Sequence, residues 1–366
     1  MKIKPIIVAA ALAVCMSAPA QRVTKLTASK ANDFGIAYSL PNTVFDIVIE
    51  AQFTERAPGE FANYAGLYLN ADNAITEPQY SAMVKSVTVV PRGIPAEDNR
   101  WLIDFKGTGI TYVMLNEAGV PLSINLENVP ADAPAPSLPK AQKAQPTPLE
   151  TDAAQYAITQ DMIQSTSVGK RAQLASQRIF ELREIRSDLI SGNAENTPPD
   201  GESMQLMLNN VAAQEAALNA MFVGTEKTWT DVKTITYTPT DESESEPVII
   251  ARVSPLKGIV APDDLSGIPV YLNFEVLTTG ELANDDTPES KKAPKEGVAY
   301  TIPGTARLSV SCDGSEIFSK EYEVAQLGST YFLDPKLFTD KKKPTFATFN
   351  PLTGGLKEVG TLTPKE

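Results

Sequence analysis

The sequence predicts an α+β protein: two mainly antiparallel, sandwich-like β domains with a two-helix antiparallel hairpin between them. Three observations carry this. Apolar residues alternate with period two around residue 45 and again after residue 230. From residue 170 to 222 the apolar period changes to three or four, which is the spacing of an amphipathic helix. A Pro/Ala-rich stretch at 129–150 separates the first β segment from the helices. The predicted segments are 1–20, a signal peptide; 21–128, β; 129–150, linker; 151–225, helical; and 226–366, β.

The chain opens MKIK, continues with an apolar core from Ile6 to Met16, and reaches Ser17-Ala18-Pro19-Ala20. A basic start, a short apolar core and a small-x-small site read as an export signal. Cleavage after Ala20 is the favoured reading. The alternative is lipidation of Cys15, but Val14 precedes it where a small residue is usual. Both predict an exported protein, free in the first case and tethered to a membrane in the second. No later segment approaches the roughly 20 apolar residues of a transmembrane helix.

In "TVFDIVIEAQFT", Phe45, Ile47, Ile49, Ala51 and Phe53 share one face of a strand. "AMVKSVTVV" and "WLIDF" are similar runs, and Trp101 alternates with Ile103 and Phe105 as a core residue would. "ITYVMLNEAGVPLSINL" reads as a hairpin turning at Asn116 to Gly119. The linker "VPADAPAPSLPKAQKAQPTPLE" has too many prolines for a regular ladder, so it predicts an extended strap.

Ala172, Ala175, Ile179, Leu182, Ile185 and Leu189 form the first helical stripe; Met204, Leu208, Val211, Leu218 and Phe222 form the second. Gly192 stops the first helix and Asp200 caps the second. Strands return with "VKTITYT", "PVIIARV", "IPVYLNFEVL" and "RLSVSCDGSEIFSKEYEV", the last turning at Asp313-Gly314. The polar runs "PTDESESEP" and "ELANDDTPESKKAPKEG" are solvated loops.

The two β segments echo each other. "GIAYSLPNT" (35–43) resembles "GVAYTIPGT" (297–305), and "TYVMLNEAGVPL" (111–122) resembles "TFATFNPLTGGL" (345–356), in the same order. A duplication would explain this, with one obstacle. The inward sets, Phe45/Ile47/Ile49 and Leu308/Val310/Cys312, are one residue out of phase, and such a slip exchanges the faces of a strand unless a bulge intervenes. Tyr38 and Tyr300 occupy matching positions, as packing residues or as an aromatic binding face.

Composition narrows the chemistry. The chain has no histidine, which removes Ser-His-Asp and Cys-His catalysis and every His-based metal centre. The formal charge of −13 becomes −15 once Lys2 and Lys4 leave with the signal, and an acidic chain without a basic stripe does not bind nucleic acid. Loss of Cys15 leaves Cys312 as the only thiol, a small buried residue by its alternation with Leu308 and Val310. No phosphate or dinucleotide motif implies a cofactor.

The best carboxylate pair, Asp46 and Glu50, lies on one strand face. Four residues place the two about 13 Å apart, beyond the spacing of glycosidase pairs. "NADNAITE" (70–77) and "NDDTPE" (284–289) are clustered oxygen donors without EF-hand spacing. Arg183 and Arg186 near the end of the first helix, with Asn196 and Asp200 in the connection, are the densest polar group. They read as helix-end bracing or as a carboxylate-binding set.

The stretch "IFELREIRSDLISGNAENTPPDGESMQLML" (179–208), with "YSLPNT" and "FNPLTGGL", resembles domain-of-unknown-function family 4831, exported proteins of Bacteroides-type bacteria. The resemblance covers nearly the whole mature chain. It implies a Gram-negative cell envelope and brings no activity or catalytic residue. The expectation is a non-enzymatic envelope protein that binds or assembles with a protein or glycan partner. A carboxylate-dependent enzyme acting on glycans is the alternative, and a calcium-stabilised surface module is a third reading.

Overall fold

The computed structural model describes residues 23–25, 35–104, 110–129, 136–194, 201–240, 246–281, 297–339 and 344–362. In chain order these form β1 (Val23–Lys25), β2 (Gly35–Ala57), α1 (Ala65–Leu69), β3 (Gln79–Asp104), β4 (Val113–Leu115) and β5 (Pro121–Ile124). Four helices follow: α2 (Asp152–Ala157), α3 (Gln160–Gln164), α4 (Val168–Ser191) and α5 (Gly201–Val223). Then come β6 (Thr225–Tyr237), β7 (Val248–Ser254), β8 (Gly258–Val260) and β9 (Ile268–Thr278). The chain closes with β10 (Val298–Cys312), β11 (Ser315–Leu333), β12 (Thr345–Phe349) and β13 (Leu356–Thr361). The class is α+β, as the change of apolar period predicts. Among the described residues, no helix is long and apolar enough to cross a membrane.

The strands form three sheets, ordered β1-β3-β2-β6, β11-β10-β9-β7-β8 and β13-β12-β5-β4, with every ladder antiparallel. The first two face each other. Phe45, Ile47, Ile49, Ala51 and Phe53 of β2 are buried against Val270, Leu272 and Phe274 of β9 and Leu308 and Val310 of β10. The period-two pattern thus supplies both inner faces of a sandwich.

The N-terminal and C-terminal β segments share their cores. A second apolar cluster joins Tyr38, Leu40, Ile103 and Ile124 to Val298, Ala299, Leu333 and Phe349. Even the small sheet draws strands from both segments, because β12 pairs with β5 through Ala347↔Ile124 and Thr348↔Ser123.

The sequence echo has a structural counterpart. The N–H of Ser39 donates to the Gly119 carbonyl at 3.0 Å, and that of Thr301 to the Gly354 carbonyl at 3.0 Å. Asn116 and Asn350 each hold their loop by accepting backbone N–H bonds on Oδ1. Both long hairpins then break register alike, skipping one residue on the first strand and four on the second. The jumps run from Ser39↔Arg100 to Pro41↔Pro95 and from Ile302↔Ser329 to Gly304↔Val324. In the second copy the break falls one residue later relative to the loop bond. Beyond it Phe45, Ile47 and Ile49 correspond to Leu308, Val310 and Cys312, which removes the phase obstacle.

In the described part of the Pro/Ala-rich stretch, 136–150, one residue pairs with the first sheet. Gln142 exchanges backbone hydrogen bonds with Thr230 at 3.1 and 3.0 Å on the outer edge of β6. The stretch ends in a capping box between Thr147 and Glu150, and Glu150 also binds Lys227 of β6.

A third cluster lies at the base of the helices. Phe61 and Ala65 from the β2–β3 connection pack with Ala157, Met162, Ala172, Ala175, Ile179, Leu182, Leu218 and Phe222. Ser167 caps α4, and Gly192 ends it in the left-handed region at φ 75°, as the sequence predicts. Helix α5 feeds directly into β6 through Gly224, also left-handed at φ 89°.

Candidate interaction surfaces

The alanines at 172 and 175 let α4 approach its neighbours closely at the base, where the apolar stripe is buried. Farther out the two helices lose that support. Over 183–191 and 201–216, Leu189 alone is buried. Ile185, which spacing places on the inner stripe, is 41% exposed. Ile190, Leu206 and Met207 are 67%, 64% and 39% exposed. The stripe continues past the point where any described residue buries it, so the distal halves form a two-helix arm.

On one side of the arm the structure brings Arg183 and Arg186 together on Glu215 of α5, at 2.7 and 3.5 Å. The Glu215 side chain is 14% exposed. Arg183 also lies 5.5 Å from the centre of the Phe180 ring, within cation–π range. These arginines join α4 to α5, and the carboxylate they hold belongs to the chain itself. With Ser187, Ile190 and Ser191 they line an open groove of about 450 Å³. Asn196 and Asp200 lie outside the described residues.

Tyr38 and Tyr300 fall at the second core, far in sequence from the arm. Tyr38 is 2% exposed. Its hydroxyl donates to the Ala299 carbonyl at 3.2 Å and accepts from the Ala299 N–H at 2.8 Å. Burial pushes its pKa well above the usual tyrosine value. Tyr38 therefore joins the two echoing segments and offers no face to a ligand. Tyr300 is half-buried, 6.5 Å from the Tyr331 ring. It borders an open cleft of about 370 Å³ with Pro303, Glu323, Asn350 and Lys357. A third cleft, about 420 Å³, lies between the Pro/Ala-rich stretch and the β7–β8 turn. Its Trp229 stacks 5.7 Å from Phe53, so that ring packs against the sandwich core.

The carboxylates on β2 are engaged. Asp46 accepts from Arg92 at 3.0 and 3.2 Å and from Thr236 at 2.7 Å. Glu50 accepts from Lys85 at 3.0 Å and Ser86 at 2.7 Å. The Arg92 bond holds the Asp46 pKa below its ordinary value, and the Ser86 bond, followed by that of Lys85, does the same for Glu50. Both stay ionised at neutral pH, the opposite of what a general acid needs. Burial raises the pKa of the Cys312 thiol, which disfavours its thiolate. Among the described residues no group of acidic or cysteine side chains gathers as metal ligands; the run 284–289 lies outside them.

Sequence reasoning missed Glu215 and the exposed Leu206. The signal was there: Leu206 falls off the Met204–Leu208–Val211 stripe, and residues 203–214 contain no charged side chain.

The family described as "Domain of unknown function (DUF4831)" matches the chain over residues 34–357. No curated protein and no solved structure matches it.

Proposed function

We propose that this chain, a member of the DUF4831 family, is a non-enzymatic exported protein of the cell envelope whose helical arm is its contact surface in an assembly. One observation carries the reading: the distal arm leaves Ile185, Ile190, Leu206 and Met207 exposed on two packed helices, while the facing sides of the two large sheets are enclosed. Apolar side chains held on a rigid helical pair are a protein-contact feature. The ionised, paired state of Asp46 and Glu50 gives the glycan-hydrolysing alternative no support.

The export half of the proposal rests on the first twenty residues. Intact mass of the exported protein distinguishes a start at Gln21, the expected result, from an acylated Cys15. A mass retaining Met1–Ala20 overturns export by this signal.

The contact half is tested in envelope extracts. Replacing residues 186–213 by a short turn removes the arm but spares the basal core of Ile179, Leu182, Leu218 and Phe222. The intact protein is expected in a complex larger than one chain, and the trimmed protein at single-chain size. Single-chain size for both, or an unchanged complex after trimming, overturns the reading.

A further inference from the structure

We propose that the occupant of the arm is a second copy of this chain, whose own arm lies alongside to complete a four-helix bundle. The inference rests on the reading of the arm as a contact surface and names its partner.

The first argument is the incompleteness of the arm. Two packed helices bury one stripe each and enclose no core; four helices do. In the distal halves only Leu189 is buried, although Leu182 and Leu189 continue the same stripe through Ile185 at helical spacing. On α5, Leu206, Asn210 and Ala213 recur at i, i+4 and i+7, so this uncharged side chain set shares one face.

The second argument is charge. The chain carries −13 overall and 21% charged residues, yet α5 has none between Glu202 and Glu215. Two identical acidic chains repel, so a surface on which they meet must not add to that repulsion. A basic partner would be matched by acidic side chains, which α5 lacks between Glu202 and Glu215. An uncharged apolar face complements itself across a twofold axis. On α4 the arm carries Arg183 and Arg186, turned onto Glu215, together with Glu184 and Asp188, so the uncharged part of the face is that of α5.

The third argument is size. Twelve residues of helix span about 18 Å, and two helices side by side about 20 Å. Side-chain relief makes such a face roughly 500 Å² of accessible surface, so a pair buries roughly 1,000 Å², the lower limit for a specific interface. The arm is large enough for a reversible dimer and too small for an obligate one.

The test uses the purified mature chain. Light scattering across a concentration series is expected to show a reversible shift from one chain to two. Ile190→Glu with Leu206→Glu is expected to raise the dimer dissociation constant at least about tenfold, with an unchanged far-ultraviolet spectrum. Leu206→Gln, which adds no charge, is expected to weaken the dimer in the same direction; it serves if the double variant misfolds. A single-chain mass at every concentration overturns the inference, as does a dimer indifferent to these substitutions. If the purified chain is single while its complex in extracts still depends on the arm, the second copy is refuted and the contact surface stands. If extracts hold no arm-dependent complex, the reading beneath it fails as well.

Discussion

The sandwich body and the helical arm are built from equally regular apolar patterns and end differently. In the body, Phe45, Ile47 and Ile49 are wholly buried because a second sheet from the other end of the chain covers them. In the arm, Ile190 and Leu206 are about two-thirds exposed because nothing in the described chain reaches them. A stripe states that a face is apolar; whether it is covered depends on what the rest of the fold brings to it. The body completes its own core, and the arm's stripe stays uncovered within the described chain.

The sharpest way to press the contrast is truncation on each side. Phe45→Ala empties a fully enclosed site between the sheets and is expected to cost about 3–5 kcal/mol in chemical denaturation. A cost under about 1 kcal/mol would mean the sheets do not pack as described. Tyr38→Phe probes the second core, where the two echoing segments meet. It leaves the Ala299 N–H and carbonyl without their partner and is expected to cost about 1–3 kcal/mol. An effect near zero would show that the hydroxyl does not join β2 to β10.

Acid comes next and acts on the outer face of the body. Asp46 and Glu50 have folded pKa values below their ordinary 3.8 and 4.5. Their contribution is complete above those ordinary values and is lost as pH falls through the lowered folded ones. Melting temperature should therefore decline on acidification below about pH 4, with a shallower decline in Asp46→Asn. An identical slope in that variant would deny Asp46 the role.

The smallest effects are expected in the arm. Glu215→Gln weakens the links to Arg183 and Arg186, which are themselves about half exposed, and should cost no more than about 1 kcal/mol. Leu206→Glu should change the stability of the single chain by no more than about 0.5 kcal/mol. A large loss there would mean that Leu206 is part of the protein's own core.

Legibility followed the same division. Strand faces were readable at Phe45–Phe53 and at Leu308–Cys312 because side-chain direction alternates residue by residue. The helix stop at Gly192 was readable because a left-handed residue ending a helix favours glycine. The bridge of the two β segments through Ala299 and through the β12–β5 pair was not readable. Periodicity marks an inner face without naming the sheet opposite it. The arginine cluster is evident in the sequence, but its partner Glu215 lies 32 residues from Arg183 and becomes a neighbour only when α5 folds back on α4. Tyr38 and Tyr300 look equivalent in sequence, yet Tyr38 is enclosed and bonded to Ala299 while Tyr300 is half-buried beside Tyr331.

The sequence by itself determined the α+β class, the helical hairpin, the absence of histidine chemistry and the echo between the β segments. Each follows from local periodicity, backbone preference or composition, which act over a few residues. Only the tertiary structure decided that the β segments interleave, that one displaced register break reconciles their phase, and that the arm's apolar stripe outruns its support. Burial is a property of what two distant segments do together, and no short stretch of chain contains that information.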